Sequence, residues 1–213
     1  MRKLINKIFG KKDTIIVPNV TPDFPCPFGY KTAWYAIKNE TPQSVIEKLK
    51  LNIVCESNWE FGINYVYKND NLFISPQIDG YVLVVGIIGL SHNMNHEMVK
   101  KHSILFDELQ YFGSHRVVDY YAWIKFAKQK LIRAYAYLGE SGEVEWNEGI
   151  ITAEEVGLGF DKFPVSEHTW EEDEKQPDEE DVIDIAKAWG VDPTFSDANI
   201  EKSTGYICGT DSI

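Results

Sequence analysis

Residues 113–149, GSHRVVDYYAWIKFAKQKLIRAYAYLGESGEVEWNEG, decide how this chain is read. From 117 to 126 the residues are β-branched, aromatic or small, a composition that suits a pleated and half-buried surface. Residues 131–138 repeat that character, and Lys128-Gln129 forms a polar turn between the two runs. Gly139-Glu140-Ser141-Gly142 reads as a second turn and 143–148 as a third strand. The stretch therefore predicts a three-stranded antiparallel meander.

Counted outward from a symmetric first turn, Phe126 lies opposite Leu131, Ile124 opposite Arg133 and Tyr120 opposite Tyr137. One face then carries Tyr121, Trp123, Ile132, Ala134, Ala136 and Leu138, with large rings set across from alanines. The second turn places Tyr135 opposite Trp146 and Arg133 opposite Glu148. The other face collects Tyr120, Ala122, Arg133, Tyr135, Tyr137, Val144, Trp146 and Glu148, which are aromatic bodies with polar tips and one ion pair. Two readings of that face stand: a wet aromatic groove for a ligand or partner, or a face covered by another segment. A slip of one residue in register would exchange the two faces.

Working outward, residues 1–12 hold five basic residues and no acid, with Leu4, Ile5, Ile8 and Phe9 on one helical face. Such a segment suits an anionic membrane surface, a short docked helix or a frayed end; membrane contact is not the expected use. Residues 14–17 read as a short strand. Four prolines (Pro18, Pro22, Pro25, Pro27) then make an extended connector. Strands are expected at 34–37, 72–75 and 81–87, the last buried on both faces. Thr41-Pro42 opens a helix running to Leu51; residues 58–67 fit helix or strand, and an Asn58 cap with Trp59, Ile63 and Val66 spaced three to four apart favours a short helix. Residues 95–110 form the longest helix candidate, with Met98, Ile104, Leu105 and Leu109 on its apolar face. Thr152-Ala-Glu-Glu155 is a capping box. Residues 167–181 hold nine acids and one lysine and read as a solvated linker. Beyond it, 182–189 reads as a helix stopped by Gly190 and anchored by Trp189.

The expected fold is α+β: a mainly antiparallel sheet with helices packed on it and a short C-terminal helix. The expected organisation is 1–27 a basic segment and connector, 28–166 the α+β domain, 167–181 the acidic linker, and 182–213 a helix and tail docked on the domain.

The net charge of −12 is unevenly placed. From Glu140 onward there are 21 acidic and 4 basic residues, whereas the preceding residues carry 12 acidic and 17 basic. This distribution argues against a nucleic-acid partner, which needs a basic footprint. It suits a basic protein steered to an acidic surface. Three cysteines, Cys26, Cys55 and Cys208, form neither a zinc spacing nor a disulfide framework. No secretory leader is read at the N-terminus, and the longest apolar run, 81–90, is too short to span a bilayer as a helix. A reducing cytoplasm is the expected compartment.

Tests for chemistry find little. His92 and His96 have the spacing of two zinc ligands on a helix, but SHNMNHEMV lacks the glutamate and the third ligand of such a motif. His115-Arg116, with Asp119 nearby, is the best titratable group on the sheet, and no paired carboxylate accompanies it in sequence. No nucleophile elbow or phosphate-binding loop occurs, and no cofactor is expected.

FGYKTAWYAIK (28–38), NWEFG (58–62), FISPQIDGYVLVVG (73–86), YFGSHRV (111–117), RAYAYLGESGEVEWNEG (133–149) and AWGVDP (188–193) together resemble a pattern of uncharacterised bacterial proteins of about this size. The resemblance covers most of the chain and implies no activity and no catalytic residue. By analogy, small acidic bacterial proteins without catalytic motifs are often immunity or antitoxin proteins. Two functions therefore stand. One is a non-enzymatic protein-binding module with an acidic surface. The other is a small-ligand binder or enzyme using the aromatic face, with Arg133 gripping an anion, Glu148 holding the arginine, and Tyr135 and Trp146 alongside.

Overall fold

The computed structural model describes residues 17–86, 92–166, 175–196 and 200–210. The basic segment at 1–12, nearly all of the expected strand at 14–17, and the run of acids at 167–174 lie outside them. The fold is α+β, with a nine-stranded open antiparallel sheet and five α-helices among the described residues.

The elements follow the local chemistry of the chain. After β1 (Ala33–Lys38), the Thr41 hydroxyl accepts the Ser44 N–H and Pro42 occupies the first turn of α1 (Pro42–Leu49). Asn58 ends β2 (Asn52–Asn58) and caps α2 (Trp59–Val66), accepting the Phe61 N–H at 3.1 Å. Strands β3 (Asn71–Ile78) and β4 (Tyr81–Val85) form a hairpin. Helix α3 spans His92–Ser103, and four strands then follow one another as hairpins: β5 (Glu108–His115), β6 (Tyr120–Ala127), β7 (Lys130–Leu138) and β8 (Glu143–Gly149). A capping box starts α4 (Ala153–Gly157), a 3-10 turn covers Phe160–Lys162, and α5 (Glu179–Ala188) precedes β9 (Thr204–Gly209).

The strand order is β2-β9-β3-β4-β1-β5-β6-β7-β8. Three expectations are corrected by it. The segment read as a tail contains β9, an interior strand inserted between β2 and β3. The helix candidate at 95–110 is divided: α3 stops at Ser103, and Leu109 belongs to β5, where it pairs with Ile37 of β1. The helical spacing of Ile104 and Leu105 is incidental, since both side chains are exposed. The acidic linker is structured at its end, because α5 starts at Glu179 and Asp181 is buried in its first turn.

The meander's register is corrected as well. Phe126 does oppose Leu131, but a bulge between Lys125 and Phe126 shifts every later pair by one. Ile124 opposes Ala134, Trp123 opposes Tyr135, and Tyr120 opposes Leu138. A second bulge, between Ala136 and Tyr137, puts Trp146 opposite Ala136 and Glu148 opposite Ala134. Strand β6 keeps its alternation, whereas the bulges break it in β7 and β8: Leu131 shares a face with Ala134, and Val144 and Trp146 lie on opposite faces. Trp123 and Tyr135 stack at 4.6 Å on one face, while Ala122 and Ala136 meet on the other.

Both faces are covered. Trp34, Phe73, Phe112, Trp123, Tyr135 and Tyr137 lie under α2, the α4 region and α5. Tyr35, Ile74, Val84, Tyr111, Ala122 and Ala136 lie with α1, Val99 of α3 and Phe106. Helix α5 docks on β5 and β6 in cis, with Val182, Ile185 and Ala186 fully buried and Trp189 against Phe112.

Arg133 and Glu155 join the sheet to its cover. Glu155 is fully buried; Arg133 Nε reaches its two carboxylate oxygens at 2.9 and 3.1 Å. The same carboxylate accepts Trp123 Nε1 at 2.8 Å and the Thr152 backbone N–H at 2.8 Å. Arg133 Nη1 donates to Asn147 Oδ1 and to the Glu148 carbonyl, so Glu148 meets the arginine through its backbone and not as an ion pair.

The insertion of β9 depends on close approach at Gly205. A Cβ there would sit 2.3 Å from the Ile74 carbonyl oxygen and 2.7 Å from the Phe73 ring. Gly205→Ala is expected to lose about 1–3 kcal/mol in urea unfolding, the range for overpacking. An unchanged midpoint would contradict the seating of β9 between β2 and β3.

Candidate functional site

Four successive acids, Asp178 to Asp181, stand where α5 begins. Asp178 accepts the N–H groups of Glu180 and Asp181 at 2.8 and 3.0 Å, and its own N–H donates to Asp181 Oδ2 at 3.0 Å. This reciprocal cap fixes the helix start and leaves three successive acids, Asp178, Glu179 and Glu180, on the surface side. Glu179 Oε1 accepts the Lys31 N–H at 3.1 Å, and the Ser114 hydroxyl donates to the Gly29 carbonyl at 2.9 Å. These bonds tie α5 and β5 to the loop before β1. Gly29, at φ +120°, is needed there, since a Cβ would lie 2.4 Å from Ile183 Cδ1.

The result is a cleft of about 420 Å³ lined by Tyr30, Arg116, Tyr121, Asp178, Glu179 and Glu180. Arg116 stands on its rim with Nη1 4.0 Å from Glu179, a loose and solvated pair. Tyr121 donates to Asp119 Oδ1 at 3.2 Å. Burial pushes the Tyr121 phenol up, and the charges of Asp119, Glu179 and Asp178 push it further. The field in the cleft is therefore negative, and two rings stand beside the carboxylates. A cation with an aliphatic stem fits that chemistry.

Comparison with protein-family models, curated proteins and solved structures finds no match. The site must be judged on its geometry.

Of the residues predicted from sequence, only Arg116 lines this cleft. His115 alternates away from it and pairs with Tyr120 toward the α3 side. Arg133 and Tyr135 lie beneath the α4 region, where the Tyr135 hydroxyl donates to the Pro164 carbonyl at 3.0 Å. Tyr137 is buried on that same face. Trp146 and Tyr120 are on the opposite face, Trp146 with its ring 4.4 Å from that of His96 and 4.8 Å from Lys100 Nζ. Glu148 is exposed on the edge strand. The sheet therefore builds no single surface from Arg133, Tyr135 and Trp146. The residues missed by sequence reading, Tyr30, Tyr121 and Asp178 to Glu180, come from three distant segments. The Asp178-x-x-Asp181 spacing was the available signal for a helix start.

The three cysteines are held toward their neutral forms. Burial, with help from Asp23, raises the Cys26 thiol to about 11, and burial raises Cys208 to about 12. Burial likewise raises Cys55. None is held as a thiolate. No group of three or more His, Cys, Asp and Glu residues among those described is placed to hold a metal ion. The side chain of His92 lies outside the described residues.

Beneath α3, the Tyr35 hydroxyl and His102 Nδ1 meet at 3.0 Å. Burial, and then the Lys101 charge, lowers His102 from 6.5 to about 4. Between those two values the unfolded chain binds the extra proton, so stability falls as pH falls from 6.5 toward 4. The denaturation midpoint is expected to drop more steeply across this window for the wild type than for His102→Gln. Equal slopes would contradict the burial of a neutral imidazole.

Proposed function

We propose that this chain is a non-enzymatic protein-binding module, and that the cleft at the start of α5 receives a lysine or arginine side chain of a basic partner. The observation that carries the reading is the cleft itself. The exposed Asp178 and Glu180, with the mostly buried Glu179 between them, line it beside two tyrosine rings, on the acidic end of a chain whose residues from Glu140 onward hold 21 acids against 4 bases. A guanidinium or ammonium head would meet the carboxylates while its stem lies along Tyr30 and Tyr121.

Several further features fit the same reading. Of the buried titratable groups, Glu155 is committed to Arg133 and His102 to Tyr35. No helix among the described residues is long and apolar enough to cross a membrane. The chain resembles uncharacterised bacterial proteins, and an acidic module that binds a basic protein in a bacterial cytoplasm is the chemistry of an immunity or antitoxin protein. The alternative function, a ligand held on the aromatic sheet face, has less support, because Arg133 and Tyr135 are covered and Trp146 faces the other way.

A fluorescent oligolysine peptide tests the cleft. Binding should weaken as salt rises from about 0.05 to about 0.5 M, because exposed pairs are screened over about 10 Å at 0.1 M. It should weaken further in Tyr30→Ala and Glu180→Gln but not in Glu201→Gln, which removes an equal charge elsewhere. Equal losses in all three variants would reduce the effect to overall charge and overturn the site.

A further inference from the structure

Helix α2 offers a second cleft of different chemistry. Its inner side is spent on the core through Trp59, Ile63 and Val66. An outer helix face is ordinarily charged. Here it carries Phe61 and Tyr65, one turn apart, with rings stacked at 5.8 Å and 14°. They line a cleft of about 470 Å³ together with Asn19, Asn58, Asn64 and Asn69. The two charged residues of the lining, Glu60 and Lys68, offset one another.

The four amides are fixed in a specific way. Asn58 Oδ1 accepts the Phe61 N–H at 3.1 Å, and Asn19 Oδ1 accepts the Thr21 N–H at 3.1 Å. Asn64 Nδ2 donates to the Glu60 carbonyl at 2.8 Å, and Asn69 Nδ2 donates to the Tyr65 carbonyl at 2.9 Å. Each bond settles which end of the amide is oxygen and which nitrogen. The opposite ends have no partner among the described residues: two Nδ2 donors on Asn19 and Asn58, two Oδ1 acceptors on Asn64 and Asn69. Asn58 is only 3% exposed, so its Nδ2 is an anchored, unpartnered donor in the cleft wall. A ligand hydroxyl there would take the place of the water that otherwise meets such a donor.

We propose that this cleft binds a saccharide, with the ring's C–H face against Phe61 and Tyr65 and its hydroxyls on the asparagine amides. A hydroxyl both donates and accepts, so vicinal hydroxyls match a fan of separate donors and acceptors. An aromatic face carries partial negative charge and attracts the polarised C–H groups of a sugar ring. The balanced Glu60 and Lys68 favour a neutral ligand over a phosphate or a carboxylate. This site shares no residue with the acidic cleft of α5, so each stands or falls without the other.

Saturation-transfer NMR on the full chain tests it with a panel of glucose, galactose, mannose, N-acetylglucosamine, maltose and cellobiose at millimolar concentration. At least one neutral sugar is expected to bind, and Tyr65→Ala and Asn64→Ala should each weaken it by about tenfold. Both side chains lie on the outer helix face, and an unchanged thermal midpoint confirms that the variants fold. No binding by any sugar of the panel overturns the proposal. So does sugar binding that neither folded variant weakens, or binding confined to a sugar phosphate or uronic acid added as a control.

Discussion

A fully buried carboxylate, Glu155, depends on a buried guanidinium, and much of the structure depends on the pair. Moving two charges out of water costs several kcal/mol per ion unless each is matched and its remaining positions are hydrogen-bonded. Here the carboxylate collects Arg133 from β7, the indole of Trp123 from β6 and the backbone of Thr152 at the start of α4. Arg133 in turn holds Asn147 and the Glu148 carbonyl of β8. Three strands and a helix are thereby set in register around one contact. Just beyond it, Phe160 and Phe163 close over Trp123 and Tyr135. That cover turns the aromatic sheet face into core.

The same contact explains what was legible in the sequence. Caps and local periods were readable because their causes are local: Thr41-Pro42, Asn58 and the Thr152–Glu155 box each start a helix in the structure. The register was not readable. No glycine or proline marks the bulges at Lys125/Phe126 and Ala136/Tyr137, yet each moves all later pairs by one. Once they are placed, Arg133 and Tyr135 leave the company of Trp146 and join Trp123. Strand β9 was hidden for a related reason, since its neighbours Asn52–Asn58 and Asn71–Ile78 are more than a hundred residues away. Nothing within TGYICG announces such partners.

The candidate sites were partly legible. The acidity near α5 was plain in the composition, but the meeting of Asp178–Glu180 with Tyr30 and Tyr121 is set by the docking of α5 on β5 and β6. Helix α2 was expected, and its Phe61–Tyr65 spacing was visible. What made a cleft of it was Asn19, whose carbonyl accepts the Asn58 N–H at 2.6 Å across a gap in sequence. Both sites thus rest on helices packed over the sheet's aromatic face.

A double-mutant cycle on unfolding free energy, with Arg133→Met, Glu155→Leu and the double substitution, tests that dependence most directly. Each single change strands a buried charge and is expected to cost about 3–5 kcal/mol. The double change leaves two apolar side chains of similar volume, so it should cost far less than the two single losses combined. Single losses that simply add in the double variant would contradict the account, because the two groups would then not be holding each other in the core.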